Sequence, residues 1–244
     1  MVEYLTCTYQ LCFQKQPKHG RISGGRERYE NTPEFKSPLG LFTSMKTPDQ
    51  NIKQNRSLFD DWAKTYDLPL LQFWMRRFHK PVLRELKLTP ETKILDISCG
   101  TGELLKRFEG KAELYGIDIS EEMLKVAKIK LGAKANLQTG DVHNLPFEDN
   151  YFDYTLSTEA FHHYYDQRKA LQEMVRVTKK GGKVIITDIN FFFKPIHWLF
   201  QTFEPGCVKV NSKREMKQLF KQAGLRNIRQ KRNFWFAVMA VGQK

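Results

Sequence analysis

At 244 residues, with 41% hydrophobic and 27% charged side chains, the chain is long enough for one sizeable α/β core and has the composition of a globular protein. No apolar run reaches the roughly 18 to 20 residues of a membrane span, and the opening MVEYLTCTYQLCFQKQ has no apolar stretch ending in a small-residue cleavage site, so the cytoplasm is the expected compartment. The net charge of +13 is concentrated late: residues 205–244 hold ten Lys or Arg against Glu215 alone, a patch open to RNA or an anionic surface, and equally to a solvated helix face beside a protected edge strand.

Residues 1–44 carry turn formers (Gly24, Gly25, Pro33, Pro38, Gly40) and no periodicity, and read as a disordered extension; amphipathic segments begin after Met45, so the domain is expected over 45–244. Helices are predicted over 55–66, with Phe59, Trp62, Ala63 and Tyr66 on one stripe, and over 70–88, where Pro81 is expected to kink or divide the helix. After Pro90 short strand-like runs (93–97, 113–118, 136–139, 152–157, 182–188) alternate with helical ones (102–108, 120–131, 166–177), with Ser120 and Asp166 as N-caps. Ser212 and Glu215 form a capping box opening a helix that Gly224 ends, and strands 227–231 and 234–241 follow, joined at Arg232 and Asn233 as an antiparallel hairpin. The fold class is α/β: a doubly wound, Rossmann-like, seven-stranded sheet, mostly parallel, with helices on both faces. Cys7, Cys12, Cys99 and Cys207 form no CxxC pair and have no His at ligand spacing; they read as free thiols, and no metal is expected.

In ILDISCGTGEL (residues 94–104) a strand ends in Asp96 and turns through Gly100 and Gly102 into a helix, a geometry that lets a ligand approach the backbone. The next strand ends in Asp118, 22 positions after Asp96, where a carboxylate accepts from ribose hydroxyls. A dinucleotide site would share both features, but the third glycine of that fingerprint is replaced by Leu105.

Further ordered motifs carry a specific resemblance: FDDWAKTYD (59–67), YGIDIS (115–120), GDVHNLPFEDNYFD (140–153) and AFHHYYDQRKALQEMVRVTKKGGKVIITD (160–188). With ILDISCGTGEL, they make residues 59–244 resemble a class I S-adenosylmethionine-dependent methyltransferase, most similar in pattern to the small-molecule group that includes ubiquinone/menaquinone C-methyltransferases. Many members have glycine where this chain has Ser98. The resemblance implies that S-adenosyl-L-methionine is the cofactor, with Asp96, Gly100 and Gly102 around its methionine portion, Asp118 on the ribose hydroxyls and Ile119 against the adenine. It places Asp141 and the Val142 N–H on the adenine edge and Ser157 and Thr158 at the methionine end; the ring face of Tyr66 is a candidate cover for the sulfonium, with a packing role as the alternative.

Displacement at a sulfonium needs alignment and exclusion of water more than strong acid. If the acceptor must lose a proton, Glu159, His162 and His163 are the candidate bases. Residues 190–203, rich in Phe and Trp, are expected to form a lid, with Trp198 as an apolar wall over a small apolar or aromatic acceptor. The fourth strand ends in Ser157, Thr158, Glu159 and Ala160, without the Pro-Pro-aromatic signature of adenine-amino methylation. RNA methylation, resting on the basic C-terminal segment, and a non-catalytic cofactor-binding scaffold or activator subunit are the alternatives.

Overall fold

The computed structural model describes residues 47–244; the extension expected over 1–44 lies outside the described residues. Helix α1 (Pro48–Trp62) opens on a complete capping box, in which Thr47 and Gln50 exchange side chain to backbone hydrogen bonds, with Pro48 in the first turn, where its missing N–H costs nothing. It therefore begins ahead of the expected residue 55 and stops at Trp62. Helix α2 (Pro69–Glu85) runs unbroken through Pro81. Pro81 forfeits a backbone hydrogen bond, but Phe78 and Val82 are buried on either side of it, and packing rather than propensity holds the helix.

The alternating segment follows as β1 (Lys93–Ile97), α3 (Glu103–Lys106), β2 (Glu113–Asp118), α4 (Glu121–Leu131), β3 (Ala135–Thr139), β4 (Phe152–Thr158), α5 (Gln167–Val177) and β5 (Thr178–Ile189). Ser120 and Asp166 cap α4 and α5 as expected, accepting from the Met123 and Lys169 amides. Helix α3 is a single turn, shorter than the predicted 102–108. An unanticipated helix, α6 (Lys194–Phe203), occupies the aromatic stretch; α7 (Lys213–Gln222) opens on the Ser212–Glu215 capping box, and β6 (Arg226–Phe234) and β7 (Ala237–Gln243) close the chain.

The strands lie in the order β3-β2-β1-β4-β5-β7-β6, with β1 to β5 parallel and β7 antiparallel between β5 and β6. The hairpin turn falls at Trp235 and Phe236, not at 232–233. Arg232 stays in the ladder opposite Val238, and its guanidinium donates to Asn190 and to the Trp235 carbonyl, which keeps β6 extended. Adjacent residues of the central strands serve opposite faces: Leu95 and Ile186 join a core with Phe152, Phe161 and Met174, while Ile94 and Ile185 join one with Val82, Leu105 and Leu124. Among the described residues no helix is long and apolar enough to cross a membrane.

Candidate functional site

At the carboxyl ends of β1, β2 and β4, where open α/β sheets bind ligands, two adjoining cavities enclose about 750 and 350 Å3 of space, part of it open to solvent. Tyr66, Ser98, Gly100, Thr158 and Glu159 line both. The turn after β1 is tight: Ser98 and Gly100 both adopt left-handed φ, of 59° and 51°. That conformation explains why glycine suits position 98, and the Ser98 hydroxyl offsets the strain through a 3.0 Å hydrogen bond with the Tyr164 hydroxyl.

Two buried carboxylates face this turn. Asp118 accepts from the Gly100 amide at 2.8 Å and the Ser120 amide at 2.9 Å, so β2 sets the shape of the β1 turn. Asp96 is 1% exposed, lines the smaller cavity, and its Oδ1 has no hydrogen-bond partner. Burial, then the charge of Asp118, pushes the Asp96 carboxyl up to about 8. Burial also lifts Asp118, to about 6, against the opposing pull of the Ser120, Gly100 and Ile119 amides. Tyr66 remains a neutral phenol, because burial and the charges of Glu159, Asp118, Asp67 and Asp96 all raise its pKa.

The larger cavity ends against Ile119, Asp141, Val142, His143 and Tyr165. The Nε2 atom of His143 accepts from the Asp166 amide at 3.3 Å, which leaves Nδ1 to donate to Asp141 Oδ1 at 2.6 Å. The His143 ring stacks on Tyr165 with centroids 3.6 Å apart. Burial works against the Asp141 charge, but the His143 bonds and the Tyr165 hydroxyl outweigh it, and the pKa falls below the ordinary value. His143 was not anticipated; its place two residues after Asp141 in GDVHN is the signal that marked it.

The segment FDDWAKTYD works as a clasp over this cleft. Asp60 on α1 accepts from the Ser120 hydroxyl at 2.6 Å, and Asp67 accepts from the Thr101 hydroxyl at 2.7 Å and from Lys130 at 2.8 Å. Lys130 also binds Glu103 at 2.6 Å. Both ends of the segment are thus pinned, and Phe59 and Tyr66, each adjacent to one of those anchors, line the larger cavity.

On the remaining side, Ile52, Asn55, Phe59, Glu159 and His163 line the larger cavity. Glu159, just past β4, is held at φ 56°, a left-handed conformation that non-glycine residues adopt at a cost. Burial and then the charge of Asp188 raise its carboxyl well above the ordinary range. Burial and His162 lower His163 well below its ordinary value, so its imidazole is neutral near pH 7. His162 does not line the cavity; it sits behind His163 with ring centroids 4.1 Å apart, and its Nδ1 meets Asp188 at 2.6 Å. Burial opposes its charge, yet Asp188 raises its pKa. His162, His163 and Glu204 bring one ligand atom each within 4.8 Å of one another; the Nδ1 of His162 is engaged by Asp188, and displacement at a sulfonium calls for no Lewis acid.

Of the residues singled out in the sequence, Tyr66, Gly100, Asp118, Ile119, Asp141, Val142, Thr158 and His163 line the larger cavity and Asp96 the smaller. Ser157 does not: it is fully buried, its hydroxyl 2.9 Å from that of Tyr164. Gly102 does not either; a Cβ there would stand 2.8 Å from Leu131 Cδ1, so this glycine serves the packing of α4. Among the described residues of 190–203 none lines the cavity, and Trp198 is 45% exposed; Phe200 instead reaches inward, edge-on to His162 at 5.9 Å.

A family model described as a methyltransferase domain matches residues 95–186. The demethylmenaquinone methyltransferase of Staphylococcus aureus is 31% identical, over 73% of this chain and 88% of that protein. The chain belongs to the class I S-adenosylmethionine-dependent methyltransferases. Among solved structures, the YcgJ protein from Bacillus subtilis is similar with a TM-score of 0.60 and 26% identity over 64% of this chain and 71% of that one. A SAM-dependent methyltransferase from Aquifex aeolicus shares the fold, with a TM-score of 0.60 and 24% identity over 75% of this chain and 97% of that one.

For the methyltransferase, the clasp yields a direct expectation. Asp67→Ala removes the acceptor of Thr101 and one partner of Lys130, freeing the segment that carries Tyr66, while leaving the cavity floor in place. The affinity for S-adenosylhomocysteine, measured by calorimetry, should fall about tenfold, the equivalent of about 1.4 kcal/mol. An unchanged affinity would show that the clasp contributes nothing to holding the cofactor.

Proposed function

We propose that this methyltransferase acts on a small, largely apolar ring compound, of the hydroxylated quinol type, seated against Ile52, Asn55, Phe59 and His163. The observation that carries this reading is that the cavity continues beyond Gly100 and Asp118 into a space with the Phe59 ring edge-on to His163 at 5.3 Å and few charged groups. The likeness to a demethylmenaquinone methyltransferase supports the same acceptor class.

The residues present fit the cofactor. The unpartnered, buried Oδ1 of Asp96 suits an ammonium group, Asp118 retains lone pairs for ribose hydroxyls, and Ile119 with Asp141 and the Val142 amide suits a flat, amino-bearing ring. When bound, S-adenosylmethionine supplies an electrophilic methyl group on a sulfonium. The protein's part is to hold the acceptor in line, to exclude water with Tyr66 and Phe59, and to receive the proton that the acceptor gives up.

In this reading Glu159 receives that proton. Its raised pKa makes it a stronger base than an ordinary carboxylate, and its left-handed backbone places it at the junction of the two cavities. His163 is the neutral contact beside the acceptor, and the His162–Asp188 pair positions it from behind. Because the ionised form of Glu159 is the active base, turnover should rise with pH through the raised pKa. Glu159→Gln should lower kcat at least about a hundredfold and abolish that rising limb, while S-adenosylhomocysteine still binds.

The test of the acceptor class is incubation with methyl-labelled cofactor and either an apolar extract containing demethylated quinols or total RNA. Label is expected in a solvent-extractable ring compound. Label confined to RNA or to a polar metabolite would overturn the reading.

A further inference from the structure

Helix α6, KPIHWLFQTF, has no acidic residue and is amphipathic, with Ile196, Leu199 and Phe203 on one stripe and His197 and Gln201 on the opposite side. One side faces the protein: Phe200 meets His162, and His197 Nε2 donates to the Phe191 carbonyl at 2.9 Å. The other side faces solvent, with Ile196 at 42%, Trp198 at 45%, Leu199 at 49% and Phe203 at 70% exposure, and Phe192 and Phe193 just before it at 67% and 68%. An amphipathic helix ordinarily turns its apolar half to the core, but here the fold covers the half that holds His197, Phe200 and Gln201 and leaves the apolar half outward.

What covers the other half is indicated by charge. The Arg232 guanidinium lies 3.9 Å over the Phe192 ring, and on α2, which Phe236 links to this end of the sheet by ring contacts with Phe78 and Phe191, Arg76 and Lys80 are exposed. From Pro69 to Arg84, and from Phe191 to Phe203, the sequence contains no Asp or Glu. Exposed Trp and Phe side chains flanked by cations and free of acids match the interfacial zone of an anionic lipid bilayer, where rings sit at headgroup depth and basic groups meet lipid phosphates.

The geometry points to the outer face of α6, with Phe192 and Phe193, as a docking surface for an anionic phospholipid membrane. The inner face of the same helix backs the His162–His163 pair, so docking would set the acceptor side of the cleft next to the lipid from which an apolar acceptor must be drawn. This second step rests on the acceptor class proposed above; the docking itself does not.

The test uses the full chain and vesicles of phosphatidylcholine alone or with about one third phosphatidylglycerol, read by co-sedimentation and by tryptophan fluorescence. Binding is expected to the anionic vesicles, weakened by salt, with a blue shift that Trp198→Phe diminishes. The triple variant Ile196→Ser, Leu199→Ser, Phe203→Ser should bind them about a hundredfold more weakly and still bind S-adenosylhomocysteine normally, which shows that it is folded. No binding to anionic vesicles, or equal binding by the triple variant, would overturn the proposal. So would a concentration-dependent dimer that the triple variant abolishes, since the face would then belong to a second copy. If vesicle binding fails while a quinol-type ring is still methylated, docking alone falls; if vesicles bind but only polar metabolites accept label, the acceptor reading alone falls.

Discussion

Asp96→Asn is expected to make the cofactor-free protein more stable and the cofactor bind at least about a hundredfold more weakly. With a folded pKa of about 8 against an unfolded value of 3.8, Asp96 binds its proton more tightly in the folded state. A raised carboxyl pKa means that stability declines as pH rises from the unfolded value towards the folded one. Asp118, raised only to about 6, contributes the same slope at lower pH, and Glu159, also raised well above its ordinary range, adds to it, so the Asp96 share is the difference between the wild-type and Asn-variant curves. Thermal melts of the wild-type protein should lose stability between about pH 6 and 8, and the Asn variant should lose less there and be more stable at pH 8 by on the order of 1 to 3 kcal/mol. Binding moves the other way, because the variant has no charge to pair with the cofactor's ammonium group. Calorimetry with S-adenosylhomocysteine decides it: an unchanged affinity would remove Asp96 from the binding site.

The second large effect is expected at Gly102. Its φ of 77° is left-handed, and a Cβ would come within 2.8 Å of Leu131 Cδ1 and 3.3 Å of Ala127 Cβ. The backbone term is about 1 to 2 kcal/mol and the overpacking term about 1 to 3 kcal/mol, so Gly102→Ala should lower the melting temperature by roughly 4 to 15 °C. Gly110→Ala is the control: φ is 72° but nothing lies within 4 Å of the added carbon, and only the backbone term applies. Equal losses in the two variants would show that α4 yields to accommodate the methyl group.

This pair of glycines also shows where the sequence was readable and where it was not. Gly100 and Gly102 are indistinguishable as letters in a strand-to-helix turn, yet one borders the cleft and the other is buried under α4, a difference made by residues about thirty positions away. The parallel strands were legible because apolar runs such as KILDI and ELYGID end in acids and turn residues. Helix α6 was not, because it is short and its apolar stripe of Ile196, Leu199 and Phe203 is turned to solvent instead of the core, so its aromatic residues read as a loop over the site. The hairpin turn was misplaced because Trp235 and Phe236 carry no turn chemistry, whereas Arg232 and Asn233 look polar enough to turn but are held by bonds to Asn190 and to the Phe78 carbonyl. Asp60 and Asp67 were noticed as part of a motif, but their partners at Ser120, Thr101 and Lys130 exist only once the chain has folded.

The position of β7 imposes an order in time. All of Ala237 to Gly242 is buried, and the strand supplies the only ladder partner that β6 has among the described residues while covering the free edge of β5. During synthesis β6 therefore emerges before there is anywhere in the sheet for it to go, and Val184, Ile185 and Ile186 wait beside an open edge until residue 243 is available. That interval is when an apolar strand edge can pair with another nascent chain. A chaperone that shields β5 would matter most for this protein in the interval before β7 is available to pair with it.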